Sequence, residues 1–169
     1  MRRSIIFSSW IIFTWLPLAT AQAQKTTAPS DIQLISASQF SALLDDARGD
    51  VILVNLWATW CAPCLREIPE LLRLRENYLD KGFRLIAVSM DDPQDLESHV
   101  IPFLEQRFPD WDTFQSAEAE MDRFVSVIDP AWNEVLPTSY LIDRTGSVTK
   151  ILFGGKSYED FEAALLDIL

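Results

Sequence analysis

The stretch Val51–Trp57 (VILVNLW) is apolar except for Asn55, and a short loop joins it to Cys61-Ala62-Pro63-Cys64. A run of this kind fits a central strand buried on both faces. Beyond the cysteines the pattern turns helical to about Leu79. Leu65, Ile68, Leu71, Leu72 and Leu79 fall on one face, with Arg66, Glu70, Arg73 and Glu76 on the other. Pro63 occupies the first turn, where a missing N–H costs nothing. Pro69 lies inside the helix and predicts a kink, and Gly82 stops it. A buried strand feeding a helix through a tight loop commits the chain to packed layers of sheet and helix.

The flanking sequence extends that α/β pattern. Ile32, Leu34 and Ile35 predict a short first strand. Ser38 is placed to cap a helix to about Ala47, with Phe40, Leu43 and Leu44 inward and Gly49 ending it. Phe83–Met90 predicts a second buried strand. Asp91-Asp92-Pro93 opens a helix carrying Leu96, Val100, Leu104 and Phe108, bent at Pro102. Asp112–Gln115 reads as a short edge strand, and Ser116 as the start of a helix carrying Met121, Phe124, Val125 and Ile128. Thr138–Asp143 and Val148–Phe153 are two strands joined by Arg144-Thr145-Gly146-Ser147, a hairpin signal. A last helix from Ser157 buries Tyr158, Phe161, Leu165 and Leu169. The order is β-α-β, a helical stretch, then β-β-α, without internal repeats.

The N-terminus reads as an address. Met1-Arg2-Arg3 is basic, Ile5–Leu18 is mostly apolar, and Ala21-Gln22-Ala23 has the small-x-small form that a signal peptidase cuts. The apolar run is shorter than the roughly 20 residues of a membrane-spanning helix. Residues 1–23 are therefore assigned as a signal peptide, with an uncleaved anchor as the alternative, and 24–31 as a flexible leader. One domain, 32–169, remains, and either reading places it outside the cytoplasm. The chain of 169 residues carries a net charge of −11 without a basic cluster, which argues against nucleic acid and anionic lipid as partners.

The chain has only two cysteines and one histidine, His99. A bridge closing so small a ring removes little entropy from the unfolded chain, so Cys61 and Cys64 make a poor structural staple. Chemistry explains the pair better. A helix N-terminus offers unpaired N–H donors and about half a unit of positive charge, which stabilises a thiolate. Cys61, at the open end, is predicted to be exposed and nucleophilic. Cys64, one turn further in, is predicted to be buried and to resolve the mixed disulfide. Zinc would need four ligands, and c-type haem attachment needs histidine where Leu65 stands. No metal and no cofactor is expected.

At this point two motifs become specific. VNLWATWCAPCLREIPEL resembles the thioredoxin-like segment of exported bacterial TlpA/ResA-type proteins, and VLPTSYLIDRTGSV resembles the loop in which a cis-proline faces the cysteine pair. The resemblance extends over most of 32–169. It implies a thioredoxin-like fold: a mixed central sheet flanked by helices, with an N-terminal extension and an insertion, 91–136, before the cis-proline loop. It implies a thiol–disulfide oxidoreductase with Pro137 as the cis residue. Leu136, Pro137 and Thr138 would then present backbone to an extended client chain, and Trp60 would offer it a flat apolar contact.

Cytoplasmic thioredoxins have a buried aspartate under the cysteines, and here Asn55 stands at the matching position. Exported relatives carry a glutamate shortly after the second cysteine, which Glu67 matches. Glu67 is assigned as the acid–base group for Cys64, against the plainer reading of a solvated helix carboxylate. Trp57 is expected to pack behind the strand, and His99 to be an exposed helix residue. Ala62-Pro63 resembles the reducing members of the family, which implies a periplasmic reductase of protein disulfides, monomeric and recharged by a membrane thiol donor. Its clients would be apocytochrome cysteines, copper-site cysteines or general disulfides. Two rivals stand beside it. A copper-delivery protein would hold Cu(I) between the two thiolates. A peroxidase would need a PxxxTxxC-like setting, which Trp60-Cys61 does not match.

Overall fold

The computed structural model describes residues 32–169; the signal peptide and leader assigned above lie outside them. In chain order the elements are β1 (Leu34–Ile35), α1 (Ala37–Asp46), β2 (Val51–Trp57), α2 (Ala62–Tyr78), β3 (Phe83–Ser89), α3 (Ile101–Arg107), β4 (Phe114–Ser116), α4 (Met121–Val125), β5 (Thr138–Ile142), β6 (Val148–Phe153) and α5 (Tyr158–Leu166). They build one six-stranded sheet ordered β1-β4-β3-β2-β5-β6. The β1–β4, β4–β3 and β3–β2 pairs are parallel, whereas β2–β5 and β5–β6 are antiparallel. The sheet is mixed and flanked by helices, a thioredoxin-like fold.

Every residue of β2 is buried, which its near-continuous apolar sequence requires of a strand covered on both faces. Its side chains alternate. Val51, Leu53 and Trp57 point to a core shared with α2 and α5 through Ile68, Leu71, Leu74, Phe161 and Leu165. Ile52, Val54 and Leu56 point to the opposite core, closed by Phe40 of α1 and Phe124 of α4, whose rings stack at 4.8 Å.

Several local expectations are corrected. α1 is capped by Ser36 rather than Ser38, because Ser36 and Gln39 form a reciprocal capping box. The buried face of α2 is Cys64, Glu67, Ile68, Leu71, Leu74 and Tyr78, and Leu79 is exposed in the 3₁₀ turn that follows. Pro69 lies inside α2, as read from the sequence. The single helix expected after Asp91 is a 3₁₀ turn, a π-helical turn at Leu96–Val100 and then α3. Pro102 lacks the N–H that would continue an α-ladder there, and Ile101 N–H instead reaches back to the Leu96 carbonyl. Even so, Leu96, Val100 and Leu104 share the buried side as predicted.

The strand expected at Asp112–Gln115 is Phe114–Ser116, and it lies inside the sheet, between β1 and β3. Its short polar sequence suggested an edge, but Gln115 and Ser116 are buried and pair with Leu34 and Ile35. Ser116 therefore belongs to a strand and opens no helix. Its hydroxyl receives Glu118 N–H in a turn, and only Met121–Val125 is helical.

Candidate functional site

The end of β2 delivers the chain into Ala58-Thr59-Trp60, and this loop is pinned from below. Asp91 is buried at the end of β3, where its carboxylate accepts Thr59 N–H at 2.9 Å, Thr59 Oγ1 at 2.6 Å and Ser89 Oγ at 2.6 Å. Gln115 of β4 donates in turn to the carbonyl of Asp92 at 2.8 Å. Trp60, immediately before the cysteines, stands 64% exposed. Trp57 is fully buried, packed edge-on to Trp111 at 6.3 Å and bonded through Nε1 to Thr113.

Cys61 is the N-cap of α2, and Cys61 and Cys64 are joined as a disulfide with 5.3 Å between their Cα atoms. Cys64 N–H points at Cys61 Sγ at 3.3 Å, so the helix terminus offers this sulfur a donor in the way an N-cap oxygen would receive one. Cys64 is fully buried as predicted. Cys61 is only 5% exposed, more covered than expected. Its side chain turns inward over the first turn to meet Cys64 and joins the core cluster containing Leu53, Ile68 and Leu136.

Glu67, one turn beyond Cys64 on the same face, is 2% exposed, which rules out the solvated-carboxylate reading. One oxygen accepts Asn55 Nδ2 at 2.8 Å, and the other accepts the backbone N–H of Lys156 at 3.0 Å. Burial pushes its carboxyl up from 4.5 to about 7. Desolvation outweighs the opposing help from Asn55, the Lys156 amide and the Lys156 charge. Asn55 also donates to Ser139 Oγ at 2.9 Å, and its own buried Oδ1 has no donor among the described residues.

The Leu136–Pro137 peptide is cis. The register Leu56↔Thr138 brings this bond to the end of β2 from which the cysteine loop leaves. Leu136 is half-buried and packs against the cluster holding both cysteines. Thr138 is fully buried, and its hydroxyl donates to the Val135 carbonyl at 2.7 Å and receives Trp132 Nε1 at 3.3 Å, so its side chain braces the loop. His99 is exposed.

Sequence reasoning missed three participants: Asp91, Ser139 and the turn Gly154–Lys156. Gly154 N–H donates to the Pro137 carbonyl at 2.8 Å. A Cβ added to Gly155 would lie 3.4 Å from the Pro63 carbonyl. The Gly154-Gly155 pair signalled a break in the chain but gave no sign of which elements it touches.

Residues 21–151 match the AhpC/TSA family. The thiol-disulfide oxidoreductase ResA of Geobacillus thermodenitrificans is 34% identical over 152 residues, covering 88% of this chain and 80% of its own. ResA of Bacillus anthracis is 30% identical over 125 residues, covering 74% and 67%. Among solved structures, a thiol:disulfide interchange protein, DsbE, from Chlorobium tepidum superposes with a TM-score of 0.61 at 28% identity, covering 73% of this chain and 83% of that one. StoA of Bacillus subtilis, at 18% identity and a TM-score of 0.52 over 69% and 82% of the two chains, shares the fold.

Proposed function

The chain belongs to the AhpC/TSA family and is a thiol–disulfide oxidoreductase, and on that premise we propose that it acts outside the cytoplasm as a reductase of protein disulfides. The observation that carries this reading is the cysteine pair at the mouth of α2 with the buried Glu67 carboxyl one turn behind it.

In the dithiol form, Cys61 loses its proton under the influence of the Cys64 amide and the α2 terminus. The Cys61 thiolate attacks one sulfur of a client disulfide, forming a mixed disulfide and expelling the first client thiolate. Glu67 then takes the proton of Cys64. Cys64 attacks Cys61 Sγ, the second client sulfur leaves and is protonated, and the pair ends as a disulfide. Two electrons pass from the pair to the client, and a membrane thiol donor must return them. A carboxyl held near 7 is matched to a thiol of ordinary pKa about 8.5 more closely than a solvated glutamate is.

Trp60 and the backbone of Leu136, Pro137 and Thr138 form the client platform in this reading, one apolar surface and one stretch of backbone beside the sulfurs. Export rests on the signal read in residues 1–23, and the reducing direction on Ala62-Pro63 between the cysteines. Among the described residues no helix is long and apolar enough to cross a membrane. The protein is expected to work as a monomer.

Cys64→Ser should accumulate mixed disulfides with a disulfide-bonded client, whereas Cys61→Ser should form none and lose insulin-disulfide cleavage. Trapping through Cys64 instead would overturn the assignment. A redox potential near the roughly −270 mV of thioredoxin supports the reductase direction, and one near the roughly −120 mV of a strong oxidant defeats it.

A further inference from the structure

The turn after β6 touches three separate parts of the site. Gly154 N–H holds the Pro137 carbonyl at 2.8 Å. Gly155 lies against Pro63, between the two cysteines. Lys156 N–H holds Glu67 Oε2 at 3.0 Å. Both ends of the turn are anchored. On one side Phe153 is in the ladder opposite Thr138. On the other, Ser157 caps α5 in a capping box with Asp160. Lys156 Nζ closes the turn on the Phe153 carbonyl at 2.7 Å. Gly154 has φ 75°, a left-handed conformation that favours glycine.

We propose that the turn Gly154–Lys156 is a mechanical link by which the charge state of Glu67 reaches the client-binding backbone at Leu136–Pro137, with the Lys156 amide as the positioning group. This rests on the reading above, in which Glu67 serves Cys64 and the cis-proline strand takes the client. A hydrogen bond to a carboxylate is about twice as strong as one to a neutral acceptor. Ionised Glu67 therefore draws the Lys156 amide toward α2 and sets the turn that also holds Pro137. Protonated Glu67 relaxes that hold.

In the reaction, Glu67 gains its proton as Cys64 attacks, which is the step that frees the client. The link thus ties loosening of the platform to product release. Glu67 lines an open groove of about 360 Å³ together with Pro63, Arg66, Glu70 and the turn itself. The charged groups around the carboxyl are Arg66 and Glu70 on α2 and Lys156 on the turn, while β2 and β5 face it with the neutral Asn55 and Ser139. Cys64 is the remaining ionisable neighbour on α2, and in the disulfide it does not titrate.

The test is a pH titration of backbone amide NMR shifts in the oxidised protein. The Lys156 and Gly154 amides should move together with one midpoint, and both should become flat in Glu67→Gln. A Lys156 amide that titrates while Gly154 stays flat overturns the link, as do two amides that titrate unchanged in Glu67→Gln. If that variant does not fold, the wild-type titration decides alone: a shared midpoint supports the link and a flat Gly154 defeats it. Client affinity gives a second reading, because KM for a peptide disulfide should rise several-fold below the same midpoint, and a pH-independent KM counts against the link. The Cys64→Ser trapping experiment is indifferent to all of these outcomes, so failure of the link and failure of the proposed function are separable.

Discussion

Asn55 Nδ2 lies 2.8 Å from Glu67 Oε1, a neutral amide donating to a carboxyl buried one turn beyond the Cys61–Cys64 disulfide. An aspartate at position 55 would bring two carboxyls together and force one to stay protonated. Asn55 instead stabilises the ionised form of Glu67, though not enough to offset burial.

Asn55→Ala should therefore raise the Glu67 midpoint above about 7, since it removes a favourable contact to the charged form. The pH dependence of client release should move to higher pH, and single-turnover kinetics across pH 5–9 (roughly the span around an ordinary histidine or thiol) would measure it. A midpoint that falls or stays in place contradicts the assignment.

The same carboxyl makes stability pH-dependent. The unfolded chain ionises Glu67 near 4.5 and the folded oxidised protein near 7. Between those values the folded state keeps a proton that the unfolded state has lost, so stability falls as pH rises through this window and levels off above it. The difference corresponds to about 3 kcal/mol at ~1.4 kcal/mol per pKa unit. Urea unfolding of the oxidised protein should show this decline in wild type and a much smaller one in Glu67→Gln.

Trp60→Ala is expected to leave the thermal midpoint nearly unchanged, because the ring is 64% exposed and surface changes are worth within about 0.5 kcal/mol. KM for a protein disulfide should rise. A large stability loss with an unchanged KM would assign the ring to packing.

Asp91→Ala leaves the N–H and hydroxyl of Thr59 and the hydroxyl of Ser89 without their shared acceptor. Each buried polar group deprived of its partner costs about 1–3 kcal/mol. The protein should be destabilised by several kcal/mol, with faster alkylation of Cys61 in the reduced form as the loop loosens. Denaturation and alkylation rates test the two halves separately.

Trp111, from the stretch between β3 and β5, packs edge-on to Trp57 with 2% exposure, and its buried indole N–H has no acceptor among the described residues. Trp111→Ala should cost about 3–5 kcal/mol. Trp111→Phe should cost far less, because it keeps most of the ring and removes a buried donor that finds no acceptor among the described residues. Equal losses in the two variants would show that the indole nitrogen matters after all.

What the sequence disclosed followed the range of each interaction. The strand Val51–Trp57, the cysteine turn and the β5–β6 hairpin were legible because periodicity, turn residues and motif spacing act within a few positions, whereas the cis-proline loop was legible only through its resemblance to the family. The place of Phe114–Ser116 inside the sheet was not, since a strand of three residues carries little pattern and its partners come from distant segments. Asp91 and Lys156 were missed for the same reason. One works through a carboxylate acting across the sheet end and the other through a backbone amide, and neither has a local signature. The inward turn of Cys61 escaped because cap geometry, not residue type, decides where the sulfur goes.

The smallness of the Cys61–Cys64 ring, with a sequence separation of 3, has a consequence for the working cycle. By thermodynamic linkage, whatever the bond adds to folding must appear as an equal change in how readily the folded protein accepts electrons. A ring this short restrains the unfolded chain less than a longer loop would. A difference in robustness between the oxidised and reduced protein therefore comes chiefly from the groups immediately around the sulfurs, and the same groups set the driving force of the couple by an equal amount.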